Sequence, residues 1–215
     1  MNLAQELYLC AVDGSGYAFS HRLPPGIGGA LASELALAGR IRVDEKSIEL
    51  LDSTPTGDDI VDEALGDLQH PNAPTWGPIW WVSRVGRASS ERVRERVVAD
   101  GLATLEPGGR SWMYFVRKPD RLKLTPAGEE PRRRLQAVLL GRQQPDPRTA
   151  VLGTLASVCK LIRHHVPRSE RKAAEERAAA FSAGDAVPEG VREAIKGAEN
   201  ATASATLGAQ SAIHN

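Results

Sequence analysis

The chain has 215 residues, of which 41% are hydrophobic and 25% are charged, and its formal net charge is zero. This composition is typical of a globular domain with one sizeable core, and it excludes a largely disordered chain. The absence of net positive charge disfavours a dedicated nucleic-acid-binding domain, which is usually basic.

The first half of the chain is predicted to contain helices and one short hairpin. Residues 2–12 and the stretch PPGIGGALASELALAG at 24–39 space their apolar residues as amphipathic helices do, and Gly39 is placed to end the second helix. Residues 40–51 alternate in polarity, which predicts a β-hairpin. TPTGDDIVDEALGDL at 54–68 predicts a helix with Thr56 as its N-cap.

The middle of the chain contains two adjacent tryptophans, an arginine-rich helix and an apolar run. Trp80 and Trp81 are expected to open a short helix that ends near Gly86, and a separate helix is predicted over SSERVRERVVADGL at 89–102. LATLEPGGRSWMYFV at 102–116 predicts a hairpin that turns at the Pro-Gly-Gly sequence, and the following RLKL predicts a third strand.

Three further helices are predicted in the C-terminal part, over 125–141, 146–165 and 169–184. The second has Asp146 as its N-cap and Pro147 at its first position, and the adjacent His164 and His165 are expected to be cations at its C-terminal end. The remaining sequence begins as a helix and becomes rich in Ala, Ser and Thr.

The whole pattern predicts a mainly α-helical fold: a single compact helical domain over residues 1–200 with small β-hairpins, one of them apolar and protruding. Residues 201–215 are predicted to form a frayed or disordered C-terminal tail. Cys10 and Cys159 lie in apolar helical patterns, which indicates reduced thiols rather than a disulfide framework.

No apolar run reaches the length of a membrane-spanning helix, and the N-terminus lacks the features of a signal peptide, so we expect a cytoplasmic protein. The motifs of metalloproteases, zinc sites, serine hydrolases and phosphate loops are not found in the sequence. Two adjacent histidines on a helix point about 100° apart, which does not suit a shared metal. We therefore expect a protein that is not an enzyme and that has no metal or cofactor.

The apolar run raises the question of what covers it. Its four large side chains follow one another without alternation: Trp112, Met113, Tyr114 and Phe115. Basic residues flank them, namely Arg110, Arg117 and Lys118. One interpretation is a core hairpin or an oligomer contact with its charges in solvent. The other is an interfacial anchor, in which the aromatic residues enter a membrane and the cations meet anionic lipid.

Arginines cluster at 84–96, 132–134 and 163–171. Such clusters are commonly solvated helix faces with Glu partners three or four residues away. Arg84 and Arg87, however, precede the predicted arginine-rich helix without nearby acids. Arg87 would then lie close to a helix start, where free N–H groups favour an anion, so the sequence predicts that both could contact a phosphate.

Five segments, in their order and spacing, resemble the Golgi phosphoprotein 3 family of peripheral membrane proteins. They are LAQELYLCAVDGSGY, ELALAGRI, PTGDDIVDEAL, RVRERVVADGL and DPRTAVLGTLA. The resemblance implies a mostly helical fold whose apolar β-hairpin inserts into the bilayer and takes part in self-association. It also implies binding of phosphatidylinositol 4-phosphate at Golgi membranes and of the cytoplasmic tails of membrane proteins. EPGGRSWMYFVRKP at 106–119 occupies the position of that hairpin.

The headgroup-binding residues of the family are matched only in part. The family tryptophan falls near Phe19, one arginine falls on Gly28, and two further arginines fall on Arg87 and Ser90. The resemblance therefore implies a partly retained lipid headgroup site formed by Arg87, Arg84, Ser90 and Phe19. Looser binding to anionic lipid is expected to accompany the loss of specific recognition.

A second interpretation is a winged-helix DNA-binding regulator, because residues 89–130 order a helix, a hairpin and a further helix start. In that case the RVRER helix would enter the major groove and the hairpin would be the wing. A DNA wing usually carries basic or polar residues, whereas this strand is hydrophobic. The sequence thus favours a non-enzymatic peripheral membrane adaptor. Its expected partners are anionic or phosphoinositide lipid headgroups, client membrane-protein tails and further copies of itself, and nucleic acid is not expected.

Overall fold

The computed structural model describes residues 1–18, 21–70, 77–108, 120–183 and 189–211. Within them lie nine helices: α1 Leu3–Ala11, α2 Leu23–Leu37, α3 Asp59–Asp67, α4 Pro78–Ala99, α5 Glu130–Leu139, α6 Pro147–Val158, α7 Ile162–His165, α8 Arg171–Ala183 and α9 Glu189–Ser211. Four short strands form two antiparallel pairs: β1 Ile41–Val43 with β2 Ile48–Leu50, and β3 Ala103–Glu106 with β4 Arg121–Leu124. The predicted mainly α-helical fold and the hairpin at 40–51 are confirmed.

The first helix, α1, is the centre of the core. Its side chains are buried throughout, and it packs against α2, α4, α5 and α6. A capping box starts it: the Asn2 side chain accepts from the Gln5 N–H, and the Gln5 side chain accepts from the Asn2 N–H. The helices around α1 therefore form one continuous hydrophobic cluster.

Helices α2 and α4 cross with their backbones in contact, and glycine makes this possible. A Cβ atom on Gly86 would lie 1.9 Å from the carbonyl oxygen of Pro24. The prediction that a helix ends near Gly86 is wrong, because α4 runs without interruption from Pro78 to Ala99. The glycine there serves close helix packing and not helix termination.

Helix α3 begins two residues later than a Thr56 cap would require, so that prediction is wrong. The carboxylate of Asp58 accepts from the backbone N–H groups of Ile60 and Val61, which makes Asp58 the N-cap. The Thr56 hydroxyl instead donates to the Asp62 carboxylate at 2.7 Å, and this bond closes the preceding loop.

The helix predicted over 146–165 is correct at its start, where Asp146 caps and Pro147 follows, but wrong at its end. The chain turns at Lys160, which has a left-handed φ of 58°, and the short helix α7 follows. His165 is buried, and its Nε2 lies 2.9 Å from the carbonyl oxygen of Cys10. Burial lowers its pKa to about 4, so the predicted helix-end cation at this position is a neutral imidazole near pH 7.

The last helix, α9, packs along α2 and α4 and continues to Ser211. Ala198 of α9 packs closely against α2. A Cβ atom added to Gly29 would lie 2.4 Å from the Cβ atom of Ala198. The segment predicted as a frayed tail begins inside this helix, where Ala201 and Thr202 are buried. Residues 212–215 lie outside the described residues, and the domain boundary at residue 200 stays a prediction.

The β3–β4 pair differs from the hairpin that the sequence predicts. In the described residues β3 pairs with β4, from Ala103 opposite Leu124 to Glu106 opposite Arg121. The RLKL segment is thus the direct partner of β3 and not an added third strand. The apolar run lies between the two strands in the chain, at 112–115, and is outside the described residues.

Candidate lipid-facing site

The β3–β4 ribbon is buried at its base and exposed at its far end. Ala103 is buried, whereas Leu105 is 44% exposed and the final pair, Glu106 and Arg121, is exposed. Beyond that pair, the N–H of Gly108 donates to the carboxylate of Asp120 at 3.1 Å. Gly108 and Asp120, which flank segment 109–119 in the chain, therefore lie side by side at the exposed end of the ribbon.

Several hydrogen bonds fix the base of this ribbon to the helical core. The N–H of Leu122 donates to the carbonyl oxygen of Gly16 at 2.8 Å. The hydroxyl of Thr125 donates to the carbonyl oxygen of Gly101 at 2.9 Å, where the chain leaves α4. These two bonds fix the described part of the ribbon, 103–106 and 121–124, to the neighbouring loops.

Arg84 is engaged within the protein, contrary to the prediction that it has no acidic neighbour. Its Nε and Nη2 atoms donate to the two carboxylate oxygens of Asp67, at 3.1 and 3.0 Å. Its guanidinium also lies 5.6 Å from the ring centroid of Trp80. The guanidinium of Arg84 therefore already binds the carboxylate of Asp67 in α3 and lies over the ring of Trp80.

The other arginines on this side of α4 follow the same pattern. Arg92 pairs with Glu63 and Asp59, and Arg96 pairs with Asp59 and Asp100. The acids of α3 recur every four residues, so they share one helix face towards α4. That spacing was visible in the sequence, but it did not reveal that the partners of the arginine cluster lie on another helix.

Arg87 is exposed and lies in the middle of α4, so the prediction that it stands at a helix start with free N–H groups is wrong. Its guanidinium has no ion-pair or hydrogen-bond partner among the described residues. Ser90 lies one turn further on, but its hydroxyl donates to the carbonyl oxygen of Gly86 at 2.5 Å. Among the predicted headgroup residues that the structure describes, Arg87 is the one whose charged side chain forms no ion pair within the protein.

Position 28 cannot hold the arginine of the family site in this fold. A Cβ on Gly28 would lie 2.0 Å from the carbonyl oxygen of Val82, so any side chain there would push α2 and α4 apart. Phe19, the match for the family tryptophan, lies outside the described residues, as do Trp112, Met113, Tyr114 and Phe115. Their roles stay predictions.

Fold and site together define a class: a helical domain with a short anchored ribbon that carries a cation-flanked apolar segment. Among the described residues, no helix combines the length and the apolar character needed to cross a membrane. A family model described as Golgi phosphoprotein 3 (GPP34) matches residues 3–198. The chain belongs to this family, as the five sequence segments indicate. No curated protein matches it.

Proposed function

We propose that this protein is a non-enzymatic peripheral membrane adaptor that anchors to anionic membranes through the apolar run at 112–115. The observation that supports the proposal is the register of the β3–β4 ribbon, whose exposed end holds Gly108 and Asp120, the described residues on either side of the segment that contains the run. Burying four large apolar side chains gains roughly 8 kcal/mol before the cost of association. Each flanking cation adds about 1 kcal/mol at an anionic surface.

Arg87 is proposed to contact lipid phosphate as a secondary determinant. It is exposed and uncommitted, whereas Arg84 is held by Asp67 and Ser90 by the backbone of Gly86. A single guanidinium attracts any phosphate-bearing headgroup, so only a modest preference for phosphatidylinositol 4-phosphate over other anionic lipids is expected. The protein would thus be cytoplasmic and would bind the membrane surface through both charge attraction and insertion of the apolar run.

The DNA-binding alternative gains no support from α4. Val93 and Val97 of the supposed recognition helix are buried in the core. Arg92 and Arg96 are neutralised by acids of α3 and by Asp100, so this face carries little net positive charge. Recognition in a major groove needs exposed side chains and phosphate-binding cations, and this part of α4 provides few of either.

Two kinds of protein partner are also proposed. A second copy of the chain could cover the apolar run when no membrane is present, because an exposed patch of this type promotes association. Tails of client membrane proteins would then be held at the bilayer surface by the anchored adaptor. Sedimentation velocity of the free protein tests the first idea, and a monomer at every concentration would refute it.

The test of anchoring is co-sedimentation with vesicles of phosphatidylcholine, alone and with phosphatidylserine or phosphatidylinositol 4-phosphate. The variant Trp112→Ser/Phe115→Ser is expected to bind at least tenfold more weakly than wild type, because two buried aromatic side chains are lost. Arg87→Ala is expected to weaken binding severalfold on anionic vesicles only. Arg142→Ala removes an equally exposed charge and serves as the control. Wild-type binding by the double variant would overturn the anchoring proposal.

A further inference from the structure

A second candidate site lies between the loop after α1 and the junction of α6 with α7. A cavity of about 260 Å³ opens there, and polar atoms form most of its wall. Its acidic and basic side chains, leaving aside a tyrosine and a cysteine, are one carboxylate and five basic groups: Asp13, His21, Arg22, Lys160, Arg163 and His164. No part of the membrane-anchoring argument uses these residues.

This cavity is separate from the predicted headgroup site on α4. Gly26 of α2 faces the Cys159 thiol, which lines the cavity, because a Cβ on Gly26 would lie 2.2 Å from that sulfur atom. Gly28, two residues later, faces Val82 of α4. Residues two apart on a helix point about 200° apart, so the cavity and Arg87 lie on opposite sides of α2.

The electrostatic balance around the cavity favours an anion. The carboxylate of Asp13 accepts from the N–H groups of Ser15 and Tyr17, and these bonds hold it to its own loop. Burial, then the charge of Arg163, lowers the pKa of His164; the charge of Asp13 opposes this shift, and Arg171 and Arg132 add to it. The cationic side chains of Arg22, Lys160 and Arg163 outnumber the one carboxylate in the lining, which makes this a region of positive potential.

Lys160 occupies a backbone conformation that favours glycine. Its φ of 58° follows directly after the end of α6, where a left-handed glycine commonly completes a helix. Lysine has no conformational advantage in this position, but it supplies a cation that glycine lacks. Together with Arg22, Lys160 also borders a neighbouring groove of about 490 Å³. Lys160 thus lines both openings.

We propose that this cavity binds a phosphate monoester through Arg22, Lys160 and Arg163. A phosphate dianion carries several strong acceptor oxygens, which suits guanidinium and ammonium donors that converge from different elements. The volume fits a small headgroup and not a nucleotide or a larger cofactor. The ligand would be either a soluble phosphorylated metabolite or a lipid with a terminal phosphate. The proposal is independent of insertion by the ribbon.

The experiment uses the full chain and two probes that share the phosphate monoester. Glycerol 3-phosphate is titrated by calorimetry at low ionic strength as the soluble source. Phosphatidylcholine vesicles containing phosphatidic acid represent the lipid source, and vesicles with the phosphodiester phosphatidylglycerol are the matched comparison. The variants are Lys160→Gly and Arg163→Gln. Lys172→Gln, which removes an exposed lysine of α8, is the charge-matched control.

Lys160→Gly is expected to bind the preferred probe about tenfold more weakly than wild type, while its melting temperature stays equal or rises by a few degrees because glycine suits the left-handed backbone. Lys172→Gln should bind as wild type does. A loss confined to glycerol 3-phosphate assigns a soluble ligand, and a loss confined to phosphatidic acid vesicles assigns a lipid. Failure of wild type to bind either probe overturns the proposal, as does unchanged binding by both variants.

Discussion

Gly28 and Gly86 face each other where α2 crosses α4, and neither position has room for a side chain. A Cβ on Gly28 would lie 2.0 Å from the Val82 carbonyl oxygen, and one on Gly86 would lie 2.8 Å from the Gly28 nitrogen. Gly86, which the sequence suggests as a helix end, thus lies inside α4 and allows the close crossing with α2. The crossing also prevents a cation at position 28, which alters the headgroup site relative to the family pattern.

The first prediction concerns this crossing. Gly86→Ala is expected to lower the free energy of unfolding by about 3 kcal/mol, because the added methyl group forces two backbones apart and overpacks the core. The measurement is the urea midpoint at neutral pH. Gly66→Ala is the control: position 66 is also helical, but nothing lies within 4 Å of the added Cβ. That variant should be equally or more stable than wild type, since alanine favours a helix.

Equal destabilisation by both alanine substitutions would contradict the packing argument. It would show that the cost at Gly86 comes from something other than contact with α2.

The second prediction is a pH dependence centred on His165. Its pKa is about 4 in the folded state, against 6.5 for an unperturbed histidine. The unfolded chain therefore binds the proton more tightly between these values. The stabilising contribution is complete above about pH 6.5 and falls by roughly 1.4 kcal/mol per pH unit towards pH 4. The total change is about 3 kcal/mol.

His165→Gln keeps a donor towards the Cys10 carbonyl oxygen but cannot be protonated, so its urea midpoint should depend less on pH than that of wild type between pH 4.5 and about 6.5. His70 is exposed, so the urea midpoint of His70→Gln should depend on pH as that of wild type does. Identical slopes for wild type and His165→Gln would mean that His165 is not held neutral by burial.

The third prediction concerns a buried carboxylate. Glu6 is 3% exposed and accepts from Arg134 at 2.5 Å and from Arg148 at 2.9 Å. Arg148 also donates to Glu34 at 2.7 Å, which links α6 to α2. Arg148→Met should reduce the free energy of unfolding by about 3 kcal/mol, because it leaves Glu6 with one of its two charge partners.

Arg92→Met provides the contrast for that experiment, because its ion pairs with Glu63 and Asp59 are about half exposed. Its loss should cost less than about 1 kcal/mol and should diminish further in high salt. A loss for Arg148→Met as small as that for Arg92→Met, measured by thermal unfolding, would refute the role given to burial.

The fourth prediction distinguishes capping from helix-end charge. Asp58→Ala removes the acceptor for two N–H groups of α3 and for the Asn2 side chain, and it should cost about 1–2 kcal/mol. Asp59→Ala removes the same charge one residue later, without any capping bond, and should cost less than about 1 kcal/mol. The free energies of unfolding of the two variants are measured by chemical denaturation. A larger loss of stability for Asp59→Ala than for Asp58→Ala would contradict the capping role of Asp58.

The sequence by itself determined the features that depend on neighbours within one helical turn or one hairpin. The Asp146–Pro147 helix start, the left-handed Gly39 and the hairpin at 40–51 all follow from such local patterns, and the structure has each of them. Spacing of apolar residues likewise predicted helices at α1 and α6, but the structure buries both on nearly all sides and not on one face alone.

Tertiary structure alone decided the features that depend on residues far apart in the chain. Arg84 forms an ion pair with Asp67, which lies on another helix. The neutral state of His165 depends on burial against Cys10. The need for glycine at position 86 depends on the backbone of α2, which a side chain there would meet. In each case the deciding energy is desolvation or steric contact between distant segments, and a local pattern of residues does not specify which segments meet.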